Sequence, residues 1–386
     1  MNNTSSSFNW KYFIFITLFI IVCLEIFGRI YLGYILKKST TPKFRFNSYR
    51  IYEHIPNFRE GDGKKDWIVI NSEGFRRSEK VAKIKPTDTY RIFLMGGSAA
   101  HGISSAPPYP VEHIYMNQTI DYYLEKLLQH RFPGQKFEVI NAAVTGYQVF
   151  QHTAYLLSEI LDYHPDMVIF MDGANDHYFN NPDFDYMGGN PYQFWKPRLQ
   201  QPSLKGLMEF SILWLSKYSS FARGVYAYLL NADARSYDKL PVVSYKSYPS
   251  DLETIKGQRI TAKKNFLRAI EANINILTNA HIATVICLQP MLVLRDTSLL
   301  SAKEKGFLRV DHNTKLLRST VVDEISELTN NYHLPFIDLN SGFNDTLYLH
   351  QQLFLDYCHL TPQGGNVVAS SMFRVVETIF ANTKKN

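Results

Sequence analysis

Arg91 to Gly102 reads RIFLMGGSAAHG, and how this stretch is read decides the fold. Its first half is a short apolar run with no polar alternation, which suits a strand buried on both faces of a parallel sheet. Gly96 and Gly97 then allow a sharp turn that presents Ser98 directly beyond the strand. In an open parallel sheet, the edge beyond the carboxyl ends of the strands is where ligands bind.

Four more runs of this kind follow: FEVIN at Phe137–Asn141, DMVIFMDG at Asp166–Gly173, ATVICLQP at Ala283–Pro290 and PFIDLN at Pro335–Asn340. Between them the apolar spacing becomes helical. Helices are predicted at Tyr115–Arg131, Val149–Tyr163, Arg259–Ala280 and Lys315–Asn330. Thr361-Pro362 is a strong start for a last one, a capping residue followed by proline at the first helical position, running to about Ala381. This alternation predicts a three-layer α/β/α sandwich on a five-stranded, mostly parallel, flavodoxin-like sheet. Residues 180–249 break the rhythm and read as an insertion, with a helix near Leu207–Leu230. That insertion is either a cap that shapes the cleft or a piece packed on the sheet edge or the membrane.

The composition is that of a globular enzyme-sized chain. Its 386 residues are 45% apolar and 20% charged, which fits one large α/β domain with additions. Net charge is +6, with no basic stripe interleaved with aromatics, so no nucleic-acid partner is expected. Cys23, Cys287 and Cys358 form no CxxC pair, so neither a metal site nor a disulfide framework is indicated, and no cofactor is expected. Cys358 adjoins His359, but sequence neighbours rarely present their side chains to each other as nucleophile and base.

At the amino terminus, residues 1–11 form a tail and Tyr12–Leu36 an apolar segment predicted to be a transmembrane helix. Glu25 and Arg29 interrupt it, and each would cost roughly 2.5–3.5 kcal/mol singly at mid-membrane. Four residues apart, they share a helix face and can pair with each other or with a partner helix. No small-residue cleavage pattern follows the apolar run, so the segment reads as an uncleaved single-pass anchor. The lysines and arginines after it, taken literally, would hold the remainder in the cytoplasm. Residues 37–88, containing INSEGFRR at Ile70–Arg77, read as a lead-in to a main domain spanning 89–383.

Three further segments complete the argument begun at Ser98: NAAVTGY at Asn141–Tyr147, GAND at Gly173–Asp176 and DYCH at Asp356–His359. Gly146 and Asn175 follow the second and third strands, so they project to the same edge as Ser98. Asp356 and His359 lie on a loop that can fold over it. Ser98 as nucleophile, His359 as base and Asp356 as orienting acid, with hydrogen-bond donors at Gly146 and Asn175, point to acyl transfer and foremost to ester hydrolysis. His101 and His177 read as structural or surface residues, and Asp172 and Asp176 as acids that order the loop.

These blocks resemble, in family order, those of the SGNH/GDSL hydrolase superfamily, over about Thr89–Thr383. INSEGFRR, GGSAAHG and the Glu-x-x-x-Arg anchor look most like its bacterial membrane-anchored branch. Gly97 and Ala143 depart from the pattern, which often has Asp before the serine and a further glycine in the second block. The resemblance implies a serine esterase with an oxyanion hole made by the amides of Ser98 and Gly146 and the Asn175 side chain. It also implies an extracytoplasmic catalytic domain and an acyl ester of carbohydrate or lipid as substrate. Two other readings use the same fold. One is an O-acyltransferase passing the acyl group to a glycan, with a membrane partner protein supplying it; the other is a non-catalytic glycan-binding or assembly protein.

Overall fold

The computed structural model describes residues 10–35, 44–103, 112–179, 252–308 and 312–384, with single positions between 208 and 228. The chain divides into two compact units, Met1–Glu53 with Pro191–Ser247 and His54–Asn190 with Tyr248–Asn386. The smaller holds α1 (Trp10–Ile35) and β1 (Phe44–Asn47), which pairs with β2 (Ile51–His54). Within α1, Trp10–Tyr31 has mean hydropathy 2.4 and is long and apolar enough to cross a membrane, as an anchor or as a signal sequence.

The larger unit opens with an antiparallel pair, β3 (Arg59–Gly61) and β4 (Asp66–Val69), and then builds the main sheet. That sheet contains β5 (Thr89–Gly96), β6 (Lys136–Asn141), β7 (Met167–Asp172), β8 (Ala283–Leu288) and β9 (Phe336–Asp338). Every pairing is parallel, in the order β6-β5-β7-β8-β9. The five apolar runs thus form the sheet they predict, with β7 buried throughout and the edge strand β9 only half-buried.

Successive side chains of β5 serve opposite layers, as strand geometry requires. Ile92 and Leu94 join a core with Leu124 of α3 (Ile120–Arg131) and Val376 of the Pro362–Thr383 helix. Phe93 turns the other way, packing edge-on against Phe75 at 5.5 Å, and Phe75 in turn meets Tyr163 at 5.2 Å. Phe75 belongs to INSEGFRR and is fully buried, so the lead-in contributes to the core of the sheet unit. On that side α4 (Val149–Ser158) packs with the Leu252–Asn279 helix.

Differences from the predicted elements lie at their ends and have local causes. The helix expected from Tyr115 begins instead at Ile120, because Thr119, at the N-cap position, is extended (φ −88, ψ 158). The preceding 3₁₀ turn is closed by Gln118, whose side-chain oxygen accepts the Tyr115 amide at 3.1 Å. The fifth strand stops at Asp338, which accepts the Asn340 amide at 3.1 Å and turns the chain into a 3₁₀ helix. At Thr361-Pro362 the expected cap is present, with Thr361 Oγ1 accepting the Gly364 amide at 3.1 Å.

A buried ion pair steadies the loop before the last helix. Arg295 Nη1 lies 2.6 Å from Glu304 Oε2, both side chains fully buried. Glu304 Oε1 accepts the amides of Leu353 (2.9 Å) and Phe354 (3.1 Å), while Arg295 donates to the carbonyls of Tyr348 and Gln351. Removing one member strands a buried charge, so Glu304→Ala is expected to cost about 3–5 kcal/mol in a urea-unfolding experiment.

Candidate active site

The register of the sheet brings the segments to one edge. Gly96 stands opposite Met171 of β7, so the turns carrying Ser98 and Gly173–Asn175 leave side by side. On the other flank, the Val144 amide donates to the Gly96 carbonyl at 3.0 Å and lays the Asn141–Tyr147 loop along the same turn. Ser98 opens α2 (Ser98–His101), a single helical turn ended by Gly102 in the left-handed conformation (φ 79).

Gly97 lies tight against Asn175. A Cβ there would overlap the Asn175 side-chain nitrogen, so a side chain at 97 would require Asn175 to shift from its present place. Asn175 Nδ2 donates to the Tyr147 carbonyl at 2.8 Å, and Gln148 Nε2 donates to the Asn175 carbonyl at 3.3 Å. Gly146 is left-handed (φ 80), a conformation that side chains resist.

Asp356 and His359 come from a turn that caps itself. Phe354 and Leu360 form an antiparallel bridge, and the Leu355 amide donates to the His359 carbonyl at 2.8 Å. Inside this turn, Asp356 Oδ1 accepts the amides of Cys358 (2.9 Å) and His359 (2.8 Å). Oδ2 is thereby aimed at His359 Nδ1, 2.6 Å away. His359 Nε2 then lies 2.8 Å from Ser98 Oγ, across 261 residues of sequence.

Both members of the pair are buried, Asp356 at 2% and His359 at 8% exposure. Burial raises the Asp356 carboxyl, but the facing imidazole and the donated hydrogen bonds outweigh it and hold it below its ordinary value. Burial pulls His359 down, while Cys358 and Asp356 push it up, and its pKa ends well above that of free histidine. Burial also raises the Cys358 thiol, which therefore stays neutral near pH 7 and exerts little charge on the ring. We attribute the upward shift of His359 to Asp356.

The remaining sequence candidates take supporting places. Asp176 is buried and accepts the Val149 amide at 3.1 Å; burial and the neighbouring Asp172 push its carboxyl well above the ordinary range. Asp172 meets His152 Nδ1 at 3.0 Å, a buried pair that single-segment motifs do not reveal. His101 is the buried last residue of the Ser98 turn, and the His177 side chain lies outside the described residues. Cys358 Sγ sits 4.0 Å from His359 Nδ1, the nitrogen already bonded to Asp356 and not the one that faces Ser98. The thiol is thus on the wrong side of the ring to act as nucleophile. Asp356, Cys358 and His359 hold donor atoms within 4.8 Å of one another, yet a neutral thiol and a Asp–His hydrogen bond make a poor metal site.

Arg76, also from INSEGFRR, is a support that no motif marks. It is fully buried and donates to the carbonyls of His101, Gly102, Trp67 (2.7 Å) and Ile114 (2.8 Å). One guanidinium thereby ties β4 and the chain before α3 to the carboxyl end of the turn that carries Ser98. Only an arginine buried with many carbonyls can do this, and its signal in the sequence is no more than its place beside Phe75.

Comparison with known proteins identifies the family of this chain. The model of the GDSL-like lipase/acylhydrolase family matches residues 94–366. No curated protein matches the sequence. Among solved structures, an acetylxylan esterase from Geobacillus stearothermophilus is similar at 12% identity and TM-score 0.42, covering 76% of this chain and 95% of its own. The acetyl xylan esterase AlAXEase is similar at 14% identity and TM-score 0.40, covering 74% and 99%. The enzyme LAE5, an alpha/beta hydrolase from the metagenome of Lake Arreo, Spain, is similar at 13% identity and TM-score 0.41, covering 74% and 93%.

Proposed function

Because this chain belongs to the GDSL-like lipase/acylhydrolase family and is a hydrolase acting on ester bonds, we propose that it works through a covalent acyl-serine formed at Ser98. In this reading Ser98 Oγ attacks the acyl carbon while His359 Nε2 takes its proton. Asp356 holds the ring with its proton on Nδ1 and stabilises the imidazolium that forms. The imidazolium then protonates the leaving alcohol, and water, activated by the same nitrogen, releases the acyl group. The observation that carries the reading is the unbroken line from Asp356 to His359 to Ser98, at 2.6 and 2.8 Å.

The developing oxyanion would be met by the amides of Ser98 and Gly146 and by Asn175. A carboxamide carries two hydrogens, so the bond from Asn175 to the Tyr147 carbonyl leaves the second for substrate. Gly97→Ala is expected to displace Asn175 and lower kcat by about 10²–10³-fold, the usual loss for one oxyanion donor. Steady-state kinetics should show the fall in kcat, with a circular dichroism spectrum unchanged from wild type.

The substrate proposed is an acetyl or other acyl ester of a surface carbohydrate or a lipid, and α1 is proposed to stay in place as a single membrane anchor. A serine-reactive phosphonate should label Ser98 in the wild type and not in Ser98→Ala. Failure to label the folded wild type would defeat the acyl-serine reading. Model esters of graded chain length then separate the substrates, a preference for acetyl pointing to carbohydrate and one for long chains to lipid. Acyl transfer to a glycan through a membrane partner drew its support from the Glu25–Arg29 pair. Glu25 instead finds its donors within this chain, which leaves transfer without an observation of its own.

A further inference from the structure

We propose that the helix start at Ser219–Ala222, with Trp214, Leu215 and Tyr218 just before it, is a second membrane-seated element drawn from the insertion, clamped to α1 by Glu25 and covered on its apolar side by lipid. The proposal rests on the reading of α1 as an anchor. It starts from a carboxylate in an otherwise apolar helix. Such a group is tolerated in lipid only when donors meet it within the protein.

Glu25 has such donors. Its carboxylate accepts from Ser219 Oγ (2.9 Å), the Ser220 amide (2.8 Å) and the Phe221 amide (3.3 Å). Ser219 Oγ in turn accepts the Ala222 amide at 3.2 Å. The backbone is helical at Ser220, Phe221 and Ala222, so these are the orphan amides of a helix start. Ser219 caps the third of them, and Glu25, brought from α1, caps the first two. The arrangement is reciprocal: the helix start neutralises the carboxylate, and the carboxylate satisfies amides that lipid cannot. Just before it, the amides of Tyr218 and Ser219 both donate to the Leu215 carbonyl at 2.9 Å, so the turn is closed on itself as well.

Two further observations fit lipid and not water. Gly28, one turn beyond Glu25, leaves no room for a Cβ, which would overlap the backbone of Phe221. Close backbone approach at a small residue is how helices associate in membranes, where apolar side chains gain nothing from leaving lipid. The outer side of the segment exposes Trp214 at 47%, Leu215 at 45% and Tyr218 at 67%, in the same unit as the exposed apolar surface of α1. Glu25 lies about 9 Å along the helix from Tyr31, the end of the apolar span. That depth lies within the apolar span, where a carboxylate needs donors from the protein. Arg29, 3.7 Å from Glu25 and with a 74% exposed side chain, can extend toward the headgroups. Cleavage of α1 would remove the cap, so the same geometry argues for its retention.

The test uses the full chain in phosphatidylcholine vesicles, with Cys23→Ser and an environment-sensitive fluorophore on Leu215→Cys. Vesicle flotation reads the anchor separately from the label. The expected result is that protein floats, the label emits to the blue, and nitroxides on the acyl chains quench it at least twofold more than iodide does. A label at Leu349→Cys, an exposed site of the sheet unit, should behave oppositely. Glu25→Ala should still float while its Leu215 label moves into water. A floating protein whose Leu215 label is quenched chiefly by iodide overturns the proposal and leaves the anchor standing. Unchanged quenching in Glu25→Ala overturns the clamp, and protein that does not float overturns both the anchor and what rests on it.

Discussion

Replacing Ser98 by alanine is expected to lower kcat on a model ester by about 10⁶-fold with little change in KM. In the proposed acyl-serine mechanism the serine oxygen contributes to bond formation and not to holding the substrate, so its loss should fall on the chemical step. A residual rate of about 10³–10⁴ over water should survive, supplied by the oxyanion donors and by binding. His359→Ala should cost nearly as much, and adding it to Ser98→Ala should cost almost nothing more. The two side chains act as one unit through a 2.8 Å hydrogen bond, so their effects cannot add. Stability should hardly move, because Ser98 sits in a partly exposed turn. A single-turnover assay on a chromogenic ester, with thermal unfolding of each variant, checks both halves. A Ser98→Ala variant within tenfold of wild type would remove Ser98 from the mechanism.

What was legible in the sequence was whatever local chemistry expresses. Short apolar runs such as Arg91–Gly96 and Asp166–Gly173 suit buried strands, and the glycines that close these two mark the turns beyond them, so Ser98 and Asn175 could be placed at one edge. The Asp-x-x-His spacing was legible too, because a self-capped turn forces residues three apart to meet. Helix ends were less so. Thr119 is a favoured N-cap type by chemistry, but the apolar spacing around it runs on, and only its extended backbone shows that the helix starts after it. Long-range polar partners left no trace at all. Arg295 with Glu304, Asp172 with His152 and Arg76 with four carbonyls join points remote in sequence, and no periodicity records them. Glu25 shows the limit best. Its neighbour Arg29 was visible four residues away, whereas its nearer partners, Ser219, Ser220 and Phe221, lie nearly two hundred residues on.

Asp356→Asn is expected to lower kcat by about 10⁴-fold while leaving the fold intact, since a wrong tautomer is enough to disable the base. Oδ1 accepts two backbone amides, which the asparagine oxygen can keep. The amide nitrogen must then face His359 Nδ1 and donate to it. The ring proton moves to Nε2 and points at Ser98, so the lone pair that should take the serine proton is gone. The pH profile separates this from a general loss of structure. In the wild type, Asp356 lifts His359 well above the ordinary histidine value of about 6.5. The imidazolium cannot act as base, so kcat/KM should rise with pH on a limb whose midpoint lies above that value. Without the carboxylate, burial acts alone and the midpoint should fall below it. Stability runs in the other direction. A raised histidine pKa contributes stability that is full below about 6.5 and fades as pH rises through the folded value. The lowered Asp356 pKa contributes above about 3.9 and is lost as pH falls through its folded value. The ion pair therefore supports the fold most on the acid side, between the carboxylate and histidine ranges, whereas catalysis needs the histidine neutral on the alkaline side. Activity and pair stability should peak at different pH in the wild type, and that separation should vanish in Asp356→Asn. An Asp356→Asn profile with the wild-type midpoint would show that another group sets the pKa of His359.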